Sequence, residues 1–227
     1  MVFLIALAAP LLACWLWSPL FRVHRTAFWW CAALSSLFGI APALLIVAMR
    51  NEMWDYTVLA HLQLISGGIF AALGMGLIWS ALRDAIAVAA MALRLGTKGS
   101  TLQHLRHMLR SAGMTCTVMV FALVLCAYGL VQGTKVPEVH EHTIALPDLP
   151  EELQGLRIAV LADIHATPVN NSDYVATLVK RTNAAKPDLV VLPGDLVDGN
   201  AATQAGNIAP LAQLQATYGV WSAPGNH

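Results

Sequence analysis

Three short blocks carry the residue types and spacings that can do chemistry in this chain: Asp163-Ile164-His165, Gly194-Asp195-Leu196-Val197-Asp198 and Gly225-Asn226-His227. Their lead residues Asp163, Asp195 and Asn226 stand roughly thirty residues apart, about one strand–helix unit each. Carboxylates, an amide oxygen and imidazoles converging at strand ends describe a hard-donor metal site suited to phosphate chemistry. In the first block, period-two alternation sends Asp163 and His165 to the same side, where both can grip one cation. Gly194 has no side chain, so backbone can approach Asp195 closely. The two oxygens of Asp195 can bridge two cations, and Asn226 offers a neutral carbonyl oxygen to the second. His227 is then left to act as a proton donor. Each block alone is an ordinary strand end or turn; all three in this order and spacing make a two-metal site the better account. The mixed oxygen and nitrogen set suits Mn, Fe or Zn better than Mg or Ca alone.

Positioning such residues takes a parallel sheet. Residues 157–162, 188–193 and 219–223 are continuous apolar runs that read as buried parallel strands. Between them, 173–185 reads as a helix with Asn171 or Ser172 as N-cap and Pro187 closing it, and a second helix falls within 203–216. The loop from Thr167 to Ser172 lies beside the expected site and reads as a helix-capping loop. Upstream, residues 134–155 are polar and punctuated by Pro137, Pro147 and Pro150, which predicts a linker with an edge strand over 142–146. His140 and His142, on one face of that stretch, read as surface residues.

The first 133 residues have another texture. The chain is 57% hydrophobic and only 11% charged, far from the ~25% charged residues of a soluble domain. Apolar runs at 2–21, 27–49, 56–82 and 111–131 are long enough to span a ~30 Å hydrocarbon core. Arg22 and Arg25 fall in the first loop, and Arg83, Arg94, Lys98, Arg106 and Arg110 in the third. The positive-inside rule puts those loops in the cytoplasm and residues beyond 133 on the extracytoplasmic side. Trp15, Trp17, Trp29, Trp30, Trp54 and Tyr56 flank the loops as an interfacial aromatic belt. The small residues of Gly67 to Gly76 would let a neighbouring helix of the same bundle approach closely. Gly96 to Ser100 lacks phosphate-loop spacing and reads as a connection, followed by a basic juxtamembrane helix holding His104 and His107. Cys14, Cys31, Cys116 and Cys126 all lie in apolar stretches and predict no disulfide framework. The formal net charge of zero argues against a broad nucleic-acid-binding surface.

The three blocks resemble the first three motifs of the calcineurin-like metallophosphoesterases, over roughly residues 156–227. Leu146-Pro147-Asp148-Leu149-Pro150 and Gly155-Leu156-Arg157-Ile158 resemble the lead-in of that family's membrane-attached branch. The apolar runs and the strand–helix pattern together predict a four-helix transmembrane bundle followed by the first βαβαβ part of an α/β domain, and the resemblance implies that this domain is an αββα sandwich with a dinuclear centre. It implies hydrolysis of a phosphomonoester, phosphodiester or pyrophosphate bond. Asp163 and His165 would bind the first metal, Asp195 would bridge and Asn226 would bind the second. His227 would protonate the leaving group, with Asp198 hydrogen-bonded to it as orienting partner. The family's later histidine motifs do not occur, so the chain reads as an N-terminal fragment that binds metal weakly and hydrolyses little. Its expected setting is a bacterial inner membrane, and its expected partners are the lipid bilayer and a phosphoester substrate, with a phospholipid or lipid-linked pyrophosphate in view. The competing reading is a non-catalytic membrane sensor or assembly protein with a relic phosphoesterase segment.

Overall fold

A computed structural model of the chain describes residues 2–51, 53–93, 100–198 and 201–226. The chain divides into two compact units, Met1–Gly133 and Thr134–His227.

The first unit consists of α1 (Val2–Phe21), α2 (Arg25–Arg50), α3 (Tyr56–Leu93), α4 (Ser100–Leu109) and α5 (Ala112–Gly133). By length and composition, α1, α2, α3 and α5 can each cross a membrane. Their outward side chains are apolar: Leu7 and Leu11 of α1 are 81% and 78% exposed, an arrangement suited to hydrocarbon and not to water. Inside, Leu16, Trp17, Leu20, Phe28 and Met119 form one cluster, and Trp17 Nε1 donates to Ser35 Oγ at 2.9 Å to tie α1 to α2. A Cβ at Gly68 would meet Leu130, and one at Gly76 would meet Met119 and Leu16. The small-residue run therefore serves packing within this unit.

The end of the third span differs from the sequence pattern. Helix α3 continues to Leu93 rather than stopping at Leu82, because Arg83 and Asp84 end the apolar run without ending helix propensity; the residues that follow are alanine-rich. Helix α4 is the separate juxtamembrane helix expected there, ten residues long, with His104 and His107 both exposed and Leu109 buried. The 96–100 connection lies largely outside the described residues.

The second unit is a three-stranded parallel sheet in the order β1 (Ile158–Val160), β2 (Leu189–Leu192), β3 (Val220–Ser222). Helix α6 (Ser172–Ala184) connects β1 to β2; α7 (Ala201–Ile208) and a 3₁₀ turn (Ala209–Gln213) connect β2 to β3. The helical signal within 203–216 changes pitch because Pro210 removes a backbone donor. Asn171 caps α6, its Oδ1 accepting from Asp173 N at 3.1 Å and Tyr174 N at 3.2 Å. Val175, Val179 and Thr182, at helical spacing, face the sheet, where Leu161, Ile164, Ala166, Val190, Leu192 and Leu214 complete the core. The other face of the sheet is bare among the described residues: Ile158, Val160 and Trp221 are exposed. The expectation of strands buried on both sides thus holds for one face only, since α6 and the 3₁₀ turn cover just that face. Residues 142–146 carry no strand; no neighbouring strand pairs with them.

Candidate metal centre

The sheet delivers all three blocks to one end. Past the ends of β1 and β2, the two chains keep running side by side. His165 N donates to Asp195 O at 2.9 Å, Ala166 N to Leu196 O at 2.9 Å, and Asp198 N to Ala166 O at 3.3 Å. Ala166 and Val197 form a parallel bridge. This ladder extension fixes the first block against the second through backbone alone. Within the first block, Ile164 plugs the core while Asp163 and His165 turn outward, so the middle residue of D-x-H anchors the outer two.

The third block is fixed by close contact. Ala223 N donates to Leu192 O at 2.9 Å, carrying the β2–β3 ladder to its end. There Gly225 lies against Asp195: a Cβ on Gly225 would collide with the Asp195 backbone nitrogen and Oδ1. Gly194, at φ +126°, faces Gly225 from the other strand, and a Cβ on it would come within 2.7 Å of Gly225 Cα. Both glycines are required by this approach. Asn226 follows directly and is exposed; His227 lies outside the described residues. An open cleft of about 300 Å³ runs along the junction of the second and third blocks, bordered by Asp195 to Val197 on one side and Ser222 to Gly225 on the other.

Ligand atoms of Asp163, His165 and Asp195 all lie within 4.8 Å of one another. His165 Nε2 is 3.9 Å from Asp163 Oδ1, while its Nδ1 is 2.7 Å from Asp198 Oδ1. A carboxylate on one ring nitrogen that leaves the other facing a second carboxylate is the arrangement that orients a histidine for a metal. The Asp198 hydrogen bond, with the charges of Asp198, Asp195 and Asp163 behind it, holds the His165 pKa above its ordinary value against the opposing effect of burial. So much negative charge around one imidazole is an environment that favours a cation. The donor chemistry, the convergence and the oriented ring all fit a divalent ion.

The backbone is shaped to the same end. Asp163, His165 and Asp195 have φ of 54°, 45° and 51°, three of the four non-glycine residues at positive φ among the described residues. Left-handed backbone in non-glycine residues is uncommon and gathers at functional sites. One contributor escapes sequence reasoning. Asn170 Nδ2 donates to the His165 carbonyl at 3.4 Å, from a turn in which Thr167 Oγ1 accepts from Val169 N and Asn170 N. The T-x-x-N spacing is the signal that could have shown it. The pairing of Asp198 with His165 is likewise hidden in the sequence, because it depends on the two loops remaining parallel beyond their strands.

Residues 156–227 match the sequence profile of the calcineurin-like phosphoesterase family. A zebrafish transmembrane protein with a metallophosphoesterase domain is 35% identical over 113 residues, covering 50% of this chain and 26% of that protein. An uncharacterized metallophosphoesterase of Campylobacter jejuni is 24% identical over 188 residues, 83% of this chain and 47% of that protein. One from Helicobacter pylori is 34% identical over 110 residues, 47% of this chain and 29% of its own length. The chain thus spans between about a quarter and about half of these curated relatives. No solved structure matches it significantly. The resemblance carried by the three strand-end blocks thus has independent support: residues 156–227 are similar to the calcineurin-like phosphoesterases, and so are the matching segments of proteins named metallophosphoesterases.

Proposed function

We propose that this chain carries metal-binding residues of a phosphoesterase site on a protein anchored in a membrane by α1, α2, α3 and α5. The reaction would be hydrolysis of a phosphomonoester, phosphodiester or pyrophosphate bond. The observation that carries the reading is the convergence of Asp163, His165 and Asp195 within 4.8 Å at the ends of two adjacent parallel strands.

Two divalent ions, drawn from Mn, Fe and Zn, would supply Lewis acidity at the phosphoryl group and activation of water when bound there. The Asp163 carboxylate and His165 Nε2 would hold one, Asp195 would serve both, and the Asn226 amide oxygen would hold the second. His227 would hand a proton to the leaving oxygen. Asp198 steadies His165; a carboxylate has about four lone-pair sites, so the same residue could also steady His227 as the family resemblance implies. Anchoring favours a substrate carried by a lipid, a phospholipid or a lipid-linked pyrophosphate. The positive-inside distribution favours an extracytoplasmic site in a bacterial inner membrane.

Mn²⁺ titration of the purified chain, followed by calorimetry, tests the centre itself. Asp195→Asn should abolish binding while membrane insertion is retained. Unchanged Mn²⁺ affinity in that variant would remove Asp195 from the site and overturn the reading.

A further inference from the structure

A second concentration of unusual polar groups lies in the helical unit, and it is independent of the phosphoesterase reading. The buried stripe of α3 runs through Ala72, Ser80, Arg83, Ala87 and Ala90, small residues interrupted by one arginine. Arg83 is 1% exposed. Its Nε and Nη2 donate to the two carboxylate oxygens of Asp84, each at 3.1 Å. Arg110, just before α5, donates to Asp84 Oδ1 from Nη2 at 2.9 Å and from Nε at 3.3 Å. Trp15 of α1 donates its Nε1 to Asp84 Oδ2 at 2.8 Å.

One carboxylate therefore faces two guanidinium groups and an indole, and the node keeps one positive charge in excess. Donors also exceed acceptors. Four buried side-chain polar atoms lack a partner among the described residues, and three of them, Trp79 Nε1, Ser80 Oγ and Arg83 Nη1, fall on a single turn of α3. Unfilled donors in a buried setting are costly unless an acceptor compensates them, and the excess positive charge beside them favours an anionic one. The node has an opening for one: the side chains of Arg110 and Asp84 are 47% and 27% exposed.

Its depth suits a phosphate. Asp84 is 28 residues beyond Tyr56 at the start of α3, about 42 Å along the axis at ~1.5 Å per residue, more than the ~30 Å of the hydrocarbon core. Arg110 precedes the apolar span of α5. Both place the node at the polar edge of the membrane, where lipid phosphates lie. We propose that Arg83 and Arg110 form a phosphate-type oxyanion site at this edge, filled by the headgroup of an anionic lipid or by free phosphate. Arg83 supplies the buried donor and Arg110 the accessible charge.

The whole chain, reconstituted in phosphatidylcholine nanodiscs, would be melted as such, with phosphatidylglycerol included, and with inorganic phosphate against chloride at equal ionic strength. A rise in melting temperature with phosphatidylglycerol alone identifies a headgroup site, and a rise with inorganic phosphate identifies a free-anion site. Arg110→Gln, which leaves Arg83 and Asp84 as a neutral pair, should remove that increment, and Arg110→Lys should restore most of it. Native mass spectrometry of the wild-type chain provides a readout that needs no variant: phosphatidylglycerol or phosphate should stay bound about tenfold more tightly than phosphatidylcholine or chloride, as charge-assisted hydrogen bonds to two guanidiniums require. Equal melting in all lipids and salts with no preferential retention, or an increment that survives Arg110→Gln, would overturn the site and leave the node a clasp between helices.

Discussion

Asp198 shows how much of this centre is decided by atoms the motif does not name. Its carboxylate holds Nδ1 of His165 at 2.7 Å, which fixes the ring so that Nε2 faces Asp163. Removing such an outer partner typically weakens metal binding about 10- to 100-fold. Asp198→Ala should therefore lower Mn²⁺ affinity by that order, and Asp198→Asn, which keeps a hydrogen-bonding oxygen, by less. Equal affinity in the wild type and Asp198→Ala, measured by calorimetry, would remove this role. Gly225 makes a sterner demand. Its missing Cβ leaves the space that Asp195 occupies, so Gly225→Ala must displace either the third block or the Asp195 carboxylate. Near-complete loss of Mn²⁺ binding is expected, with the helical unit unaffected by circular dichroism. At this scale the sequence exposes the donors, because acids and histidines at regular spacing are visible in one dimension. It hides the partners, since the Asp198–His165 and Asn170–His165 contacts exist only once two loops lie side by side.

At the scale of elements, the βαβαβ order, the positions of the strands and the cap of α6 are all legible from residue pattern. Short apolar runs bounded by proline, glycine and aspartate favour buried strands over helices, and asparagine two residues before an aspartate is a strong start signal. The strand ends are less legible: the ladder between the first two blocks continues beyond β1 and β2 through stretches in which Asp163, His165, Asp195 and Asp198 interrupt the apolar residues. Residues 142–146 fail in the opposite sense, alternating like a strand but having no partner to pair with. The α6 cap allows a quantitative check. Asn171 Oδ1 accepts from two first-turn amides, and replacing an N-cap asparagine by alanine costs about 1 kcal/mol. Hydrogen exchange at Asp173 and Tyr174 should accelerate about fivefold in Asn171→Ala, since ~1.4 kcal/mol corresponds to tenfold, and return with Asn171→Ser. Unchanged exchange would mean the cap contributes nothing to holding the loop after Asp163 and His165.

The whole molecule joins two solutions to the same problem of burying apolar side chains. In residues 134–227, apolar faces turn inward on a parallel sheet, and the polar strand ends are left for chemistry. In residues 1–133 the outside is apolar as well: leucines and phenylalanines face out around an interior that combines small residues and a few polar groups with the cluster of Leu16, Trp17, Leu20, Phe28 and Met119. Composition alone makes that division visible near residue 133, because an 11% charged chain cannot cover two soluble domains with polar surface. The same composition implies a direction. Arg22 stands between α1 and α2 and Arg25 opens α2; Arg83 lies toward the end of α3, and Arg106 and Arg110 lie in and just after α4, whereas the connection between α2 and α3 sets Glu52 and Asp55 against Arg50. Translocating the arginine-rich loops is disfavoured, so they should remain cytoplasmic, and the residues after α5 should emerge on the opposite side. With the native cysteines replaced, a single cysteine introduced at Glu138 should react with a membrane-impermeant maleimide in intact cells, and one introduced at Val23 only after permeabilisation. The reverse pattern would put the metal centre in the cytoplasm, and the substrate would then have to be sought among cytoplasmic phosphoesters.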